Sequence, residues 1–441
     1  MSTINRKDGY SVVKTRSRTW MVAALAAVLA AGCGGSGGGS GDADADADAV
    51  TTIRVPSWWF GEPGNRDWLN AAIEAFEAEN SDVKVEGYEL AFGDYTDQVL
   101  TEVSAGDPPD VLHLTLTNIG DFRRIGALAP LDEYLAESDI DEQTYVPAQW
   151  EEPLTVDGTT YGVIQMIANY TPFYNVDMLA EKGYDEFPAD PESFYAMVED
   201  IADPPEQYGY AAMLRPGSAQ QTYLDIAQWV IANGGRLARD GEVTIDAPEN
   251  VEALEDLRAL YEGGGMPLDV DKSTYRQMWW EGKIGVIFDG SWMMGFAEDN
   301  NPDIVDRLDT AYLPWPGQAT ASTYQLWAVS EASPNKEEAF RFIAFLQSQE
   351  WQKEMIETTR AVSPRTDAMP EGFLDENPWF EIFDEAAREF SVPIMPPELL
   401  DHGNEVIRIV TGAFEAALYR GTPVADALAT AQAEVEAVVG D

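Results

Sequence analysis

The sequence contains very few of the side chains that bind transition metals or form disulfides. In 441 residues there is one cysteine, Cys33, and there are two histidines, His113 and His402. A lone cysteine cannot form an internal disulfide, and no Cys/His spacing typical of a zinc site is present. The composition therefore excludes a disulfide-stapled fold and predicts neither a metal site nor another cofactor.

Basic residues are also scarce, with 27 Lys and Arg against 78 Asp and Glu and a net charge of −51. Such a surface repels nucleic acid and anionic lipid head groups, so a nucleic-acid partner is not expected. An acidic, Lys-poor surface suits a salt-rich habitat, where screening weakens self-repulsion, and suits an ordinary acidic exported protein equally well.

A single long apolar run occurs, "WMVAALAAVLAAG" at 20–32, after a basic leader. It is too short to span a bilayer comfortably and is typical of an export signal. The signal ends in Ala30-Ala31-Gly32-Cys33, which resembles a bacterial lipobox. That resemblance implies a signal at 1–33 and a lipid on Cys33 that anchors the protein to the outer face of the cytoplasmic membrane. The alternative is a plain secretory signal with an incidental cysteine.

The segment after Cys33, "GGSGGGSGDADADADA", cannot bury anything, and 34–51 is predicted to be a flexible tether. Beyond it, hydrophobic residues are frequent enough for a globular core. Strand 52–55, a helix in 65–80, strand 83–90, helix 95–106 and strand 110–114 alternate as βαβαβ. This order indicates an α/β fold with a largely parallel sheet, whose ligands bind at the carboxyl ends of the strands.

Later segments continue the alternation of strands and helices. Residues 161–175 are expected to form a strand-turn-strand element, and Asp190 is expected to cap a helix that turns Phe194, Met197, Val198 and Ile201 inward. Residues 333–357 predict one long helix, with Asn335 and Glu338 as its capping box. Two further helices are expected near 405–419 and 423–439.

Five segments in this order resemble a known family. They are "SAGDPPDVLHL", "GALAPLDEYL", "YGVIQMIANYTPFYNVDMLAEKGYDEFPADPESF", "WEGKIGVIFDGSW" and "SPNKEEAFRFIAFLQSQEWQ" with "AVSPRTDA". Together, over 52–439, they are similar to the sugar-binding group of the extracellular solute-binding proteins of ABC importers, which includes maltodextrin-binding protein.

The resemblance implies a periplasmic-binding-protein-like α/β fold. Its two lobes, about 52–164 with 316–360 and 165–315 with 361–441, would be joined by a hinge that the chain crosses several times. A monomer would capture a sugar or oligosaccharide in the interlobe cleft, without catalysis, and deliver it to the membrane subunits of an ABC permease.

A sugar ring requires an aromatic plate below its apolar face and hydrogen-bonding groups at its rim. Trp292 matches the stacking tryptophan of the family, and Asp289 is positioned to accept from hydroxyls. Either Trp58 or Trp59, after the first strand, is expected to face the cleft while the other packs. The remaining candidates implied by the resemblance are Asn118, Asn169, Tyr170, Tyr223, Trp327 and either Arg360 or Arg365.

Two other functions remain open at this point. A binding protein for a cationic ligand such as a polyamine would use carboxylates and aromatic faces, and the acidic charge suits it. A secreted glycoside hydrolase would need a pair of carboxylates at a set separation, and no motif isolates such a pair.

Overall fold

The computed structural model describes residues 50–151, 154–216 and 219–440. The predicted signal, Cys33 and residues 34–49 of the tether lie outside the described residues. The strands are β1 (Thr51–Ser57), β2 (Val83–Glu89), β3 (Val111–Thr115), β4 (Thr155–Val156), β5 (Thr159–Thr160), β6 (Val163–Asn169), β7 (Thr171–Asn175), β8 (Tyr208–Ala211), β9 (Ala238–Arg239), β10 (Glu242–Val243), β11 (Ile284–Asp289), β12 (Leu308–Thr310), β13 (Thr320–Val329) and β14 (Ser391–Pro393).

The α-helices are α1 (Pro63–Glu79), α2 (Tyr95–Ala105), α3 (Ile119–Arg124), α4 (Asp132–Ala136), α5 (Val176–Glu181), α6 (Pro191–Ile201), α7 (Ala219–Ala232), α8 (Pro248–Glu262), α9 (Lys272–Trp280), α10 (Trp292–Asn300), α11 (Lys336–Leu346), α12 (Gln349–Thr359), α13 (Phe373–Glu376), α14 (Phe380–Glu385), α15 (Gly403–Tyr419) and α16 (Val424–Val439). Within the described ranges, no helix is both long enough and apolar enough to cross a membrane.

Two four-stranded sheets organise the described part of the chain. In the first, β13 pairs with β3, β6 and β14, and in the second the order is β12-β7-β11-β8. β1 and β2 form a parallel pair, as the βαβ pattern predicts. The prediction of a largely parallel sheet is wrong for the central strands, because β13 runs antiparallel to both β3 and β6. β13 enters the first sheet directly from β12 of the second sheet and not through a βαβ crossover.

The chain passes between the two sheets at Tyr170. β6 ends at Asn169 in the first sheet, and β7 begins at Thr171 in the second. It returns between Thr310, the end of β12, and Thr320, the start of β13. The α/β architecture with repeated crossings is therefore confirmed, and Tyr170, at the first crossing, lines a cleft.

The helix that begins at Pro191 forms as predicted. The Asp190 side chain accepts from the backbone N–H of Ser193 at 2.9 Å, which caps α6. The four residues expected to face inward, Phe194, Met197, Val198 and Ile201, are all fully buried.

The single helix predicted at 333–357 is wrong, because α11 ends at Leu346 and α12 begins at Gln349. Ser348 caps the second helix by accepting from the Trp351 backbone N–H. The expected capping box at Asn335 is also absent from α11. The Asn335 amide donates instead to Asp110 and to the Thr52 carbonyl, so it ties the helix start to neighbouring strands.

Candidate ligand-binding site

The floor of the cleft is one face of β3 and β13. Gln325 lies opposite Thr115, and Trp327 lies opposite His113, in the antiparallel register. Because alternate strand residues point to the same face, His113 and Thr115 share it with Gln325 and Trp327. Thr115 and Gln325 line the cleft, whereas His113 and Trp327 are fully buried. This face of the sheet thus has polar side chains where it lines the cleft and buried aromatic side chains next to them.

The cleft has two connected compartments. The inner compartment encloses about 870 Å³, including space open to solvent, and five aromatic residues line it: Trp58, Phe92, Tyr170, Trp292 and Phe296. The outer compartment, of about 1080 Å³ on the same basis, shares Trp58, Phe92, Thr115 and Gln220 with the inner one. An aromatic wall and a polar floor therefore face the same space.

Trp58 is held rigidly at the junction of the compartments. It begins a short 3₁₀ turn directly after β1. One face of its indole stacks on His113, with centroids 3.8 Å apart and planes 12° from parallel. Phe92 and Tyr95 each contact it edge-on at 5.1 Å. Trp59, the next residue, is fully buried against Trp68 and does not line either compartment.

Trp292 lies across the inner compartment as the first residue of α10, after the buried strand β11. Its ring meets Tyr170 edge-on, with centroids 6.0 Å apart. A Cβ atom at Gly290 would lie 2.1 Å from the indole, so only glycine leaves room for the ring in this position. Met293 and Met294, the next two residues of α10, are both buried.

Two cations reach the inner compartment from one face of α9, where Lys272 and Arg276 are four residues apart. Arg276 binds both oxygens of Asp289 at 2.8 Å, and Lys272 lies 2.5 Å from Asp225. Burial works to raise the pKa of Asp289, but the Arg276 and Lys272 charges outweigh it and hold that pKa below its usual range. Each cation is thus neutralised by a buried carboxylate.

Glu62 is the acidic residue that lines the inner compartment among the described residues. It is half-buried just before α1 and accepts from the Asn65 amide at 2.7 Å. Burial raises the pKa of Glu62, and the Asn65 hydrogen bond and the Arg276 charge offset this only in part. Glu62 therefore offers an acceptor whose charge is sensitive to mild acid.

The other predicted residues are dispersed. Tyr170 lines the inner compartment and Asn118 the outer one. Asp289 is fully buried behind Arg276 rather than in the cleft. Three more lie in the interior: Asn169, Trp327, and Tyr223, whose hydroxyl donates to the Ile394 carbonyl at 2.5 Å. Of the two arginines considered, Arg360 pairs with Glu298 and Arg365 with Asp367, and neither lines a compartment, although the residues on either side of Arg360 line the inner one.

Sequence reasoning overlooked Glu62, Lys272, Arg276, Gln220 and Gln325. One signal was available for Arg276: Asp289 follows five apolar or glycine residues in a strand, and a buried carboxylate needs a cation. Gln220 carries a further feature, because its amide donates to the Thr117 hydroxyl at 2.7 Å, between α7 and the loop after β3.

A family model described as bacterial extracellular solute-binding protein matches residues 71–381. A binding protein of Brucella abortus is 23% identical over 69% of this chain and 71% of its own length. The diacetylchitobiose binding protein DasA of Streptomyces coelicolor is 25% identical over 57% of each chain.

A solved structure shows the same fold. It is an ABC transporter solute binding protein of Thermotoga lettingae, bound with α-D-tagatose. Its TM-score is 0.78 at 21% identity, and the match covers 88% of this chain and 100% of that one.

Proposed function

The chain belongs to the bacterial extracellular solute-binding protein family, and from this premise we propose that it captures a neutral sugar or short oligosaccharide and delivers it to an ABC permease. The observation that carries the proposal is the inner compartment. Trp58 and Trp292 supply aromatic plates on either side of a floor whose hydrogen-bonding groups include Thr115 and Gln325. Pyranose rings need this combination of an apolar face and a polar rim.

The charges of the site favour a neutral ligand. A polyamine carries several ammonium groups and would require several unpaired carboxylates. Among the described residues Glu62 is the single carboxylate that lines the inner compartment, and Asp225 and Asp289 behind it are neutralised by Lys272 and Arg276. An anionic sugar would require a free cation, and these same two pairs engage both basic side chains of the inner compartment. Sugar ligands also accord with the relatives, since DasA is named for diacetylchitobiose and the Thermotoga protein holds tagatose.

A direct titration tests this function. We expect at least one neutral sugar from a panel of maltose, mannobiose, N,N′-diacetylchitobiose and D-tagatose to change the tryptophan fluorescence of the purified protein, because Trp58 and Trp292 line the cleft. Spermidine should give no response. Tight spermidine binding without any sugar response would contradict the proposal.

Binding without catalysis fits the lining of the cleft. Glycoside hydrolysis uses two carboxylates at the scissile bond. Among the described residues of the inner compartment, Glu62 is the sole carboxylate. Release of reducing sugar from a bound oligosaccharide would instead support a hydrolase.

Acid should weaken sugar binding through Glu62. Its ionised carboxylate accepts hydroxyl hydrogens and loses part of that capacity when protonated. Because burial raises its pKa above the ordinary 4.5, affinity should fall as the pH drops towards that raised value, before exposed carboxylates titrate. Calorimetric titration of the bound panel sugar between pH 7.5 and pH 5 measures this, and Glu62→Gln should flatten the profile.

Delivery requires lobe closure and membrane attachment. The two lobes proposed from the sequence would close over the ligand, and the Gln220–Thr117 hydrogen bond is a contact suited to hold them together. Because β6 continues to Asn169, we propose the first crossing at Tyr170, a few residues beyond the bound of 164/165 expected from the sequence. The closed monomer would then dock on the permease.

The lipid anchor is tested by Cys33→Ser. The variant cannot be acylated, so we expect the protein to leave the membrane fraction of the producing cells and appear in the soluble fraction, as seen by immunoblot. A conservative Ser36→Ala change in the tether serves as the control and should leave the protein in the membrane fraction. Retention of the Cys33→Ser protein there would show that another element anchors it.

A further inference from the structure

His113 lies directly behind the cleft and has no part in the function described so far. Its ring is fully buried between two indoles. Trp58 stacks on one face at 3.8 Å and Trp327 on the other at 4.2 Å, between ring centroids. With both faces covered, only the two ring nitrogens remain to make directional contacts.

The contacts of Ser57 favour one of the two neutral tautomers of His113. The Ser57 hydroxyl oxygen lies 2.7 Å from Nδ1 of His113 and accepts from the Trp59 backbone N–H at 3.0 Å. Since the hydroxyl accepts there, its own hydrogen is free to be donated to Nδ1. Burial lowers the pKa of His113 well below its usual value, so the ring is neutral and its single proton belongs on Nε2.

Gln325 is the acceptor available to that proton. Nε2 of His113 and Oε1 of Gln325 are both buried, and neither has a hydrogen-bond partner in the described part of the chain. The nearby Gln325 amide works against burial by raising the pKa of His113, as an acceptor of an imidazole N–H does. The register makes the two residues diagonal neighbours on one sheet face, within reach of long side chains. With Oε1 turned inward, the Gln325 NH₂ is the end that faces the inner compartment, which this residue lines.

We propose that His113 is a positioning residue for sugar binding: its neutral imidazole backs the Trp58 plate and, through Nε2–H, holds Gln325 with its amide donors turned towards the sugar. One histidine thereby couples the stacking surface to an adjacent hydrogen-bond donor. The Gln325 amide would donate to an oxygen atom at the rim of the sugar ring that stacks on Trp58. The inference rests on the proposed sugar-binding function.

A double-mutant cycle tests the coupling. His113→Phe retains an aromatic ring between Trp58 and Trp327 but removes both nitrogens, and Gln325→Ala removes the amide. With the panel sugar that the unmodified protein binds most tightly, each single change should weaken affinity about tenfold, the usual value of one hydrogen bond. The double variant should be little weaker than either single one, because the two side chains act as a unit.

Equal losses from His113→Phe in the presence and absence of Gln325 would overturn the proposal, as would no loss at all. The urea unfolding midpoints of all variants are measured in parallel. A purely structural role would lower the midpoint of His113→Phe without changing the affinity of the folded protein.

A second measurement needs neither a sugar nor a variant of His113. The chain has only two histidines, so nitrogen-15 NMR of the histidine-labelled protein gives two imidazoles, assigned with His402→Asn. We expect His113 to be the neutral Nε2–H tautomer at pH 7 and its Nε2 signal to shift in Gln325→Ala, while that of His402 stays. An Nδ1–H tautomer, an imidazolium, or no shift would overturn the proposal. Failure of every panel sugar to bind would instead count against the proposed function.

Discussion

Replacing Trp292 with alanine is expected to weaken sugar binding by at least about thirtyfold, which corresponds to ~2 kcal/mol, while the fold is retained. The indole is half-buried, lies at the first position of α10 and faces the inner compartment. The ring lies against Gly290, and its plane is nearly perpendicular to that of Tyr170, so among the described residues no stacked aromatic partner occupies the face offered to a sugar ring. Truncation removes this plate without opening a cavity in the closed core.

Trp280→Ala is the matched control for this prediction. Trp280 is also half-buried, belongs to α9 and does not line either compartment. Calorimetric titration with the bound panel sugar should give near-normal affinity for the control and a large loss for Trp292→Ala. Comparable affinities for the two variants would place Trp292 outside the ligand contact surface.

Gly290→Ala should displace the Trp292 ring without removing it. Because a Cβ atom would overlap the indole, the ring must move, and we expect an intermediate loss of affinity. The two variants together distinguish the presence of the aromatic ring from its orientation.

The sequence predicted the structure best where an apolar run ends in residues typical of a turn. Strand β11 is entirely buried, as its apolar run predicts, and it delivers Trp292 to the cleft by ending in Asp289-Gly290-Ser291. The order of strands and helices was also predictable from the sequence, because the periodicity of apolar residues reflects which side of each element is buried.

The adjacent residues Trp58 and Trp59 show that a local sequence pattern does not always predict which side chain faces the cleft. Trp58 and Trp59 follow the same strand, and their sequence context does not indicate which faces the cleft. The choice is made by Ser57, which accepts the Trp59 backbone N–H and starts the 3₁₀ turn, and by His113, which stacks on Trp58. His113 is 56 residues away from Ser57 in sequence, so this contact is visible only in three dimensions.

The break between α11 and α12 has the same origin. Helical periodicity continues through 333–357, but the Gln347 side chain turns inward to Tyr145 and Gln165. Its carbonyl accepts from Tyr145 and from Arg365, so the helix ladder ends there. Long-range partners of one buried amide thus override a strong local pattern.

Asp289→Asn is expected to lower stability by about 3–5 kcal/mol at pH 7, because it leaves Arg276 without its counter-ion in a largely buried site. Both guanidinium contacts are 2.8 Å long, and the Asp289 carboxylate is fully buried. The same pair aims Arg276 into the inner compartment, so sugar affinity should fall as well. Urea unfolding followed by tryptophan fluorescence measures the change in midpoint.

Asp384→Asn supplies the control, since Asp384 also binds an arginine, Arg388, through both oxygens, but at a partly exposed site on one helical stretch. Its loss should cost only about 0–1 kcal/mol. The pKa of Asp289 lies below its ordinary 3.8, so the ion pair stabilises the native state above pH 3.8 and is lost as the pH falls through the depressed value. The difference between the native protein and Asp289→Asn should therefore be full at pH 7 and narrow below pH 3.8. A difference that is already small at pH 7 would mean that Arg276 is held by the surrounding fold and does not depend on Asp289.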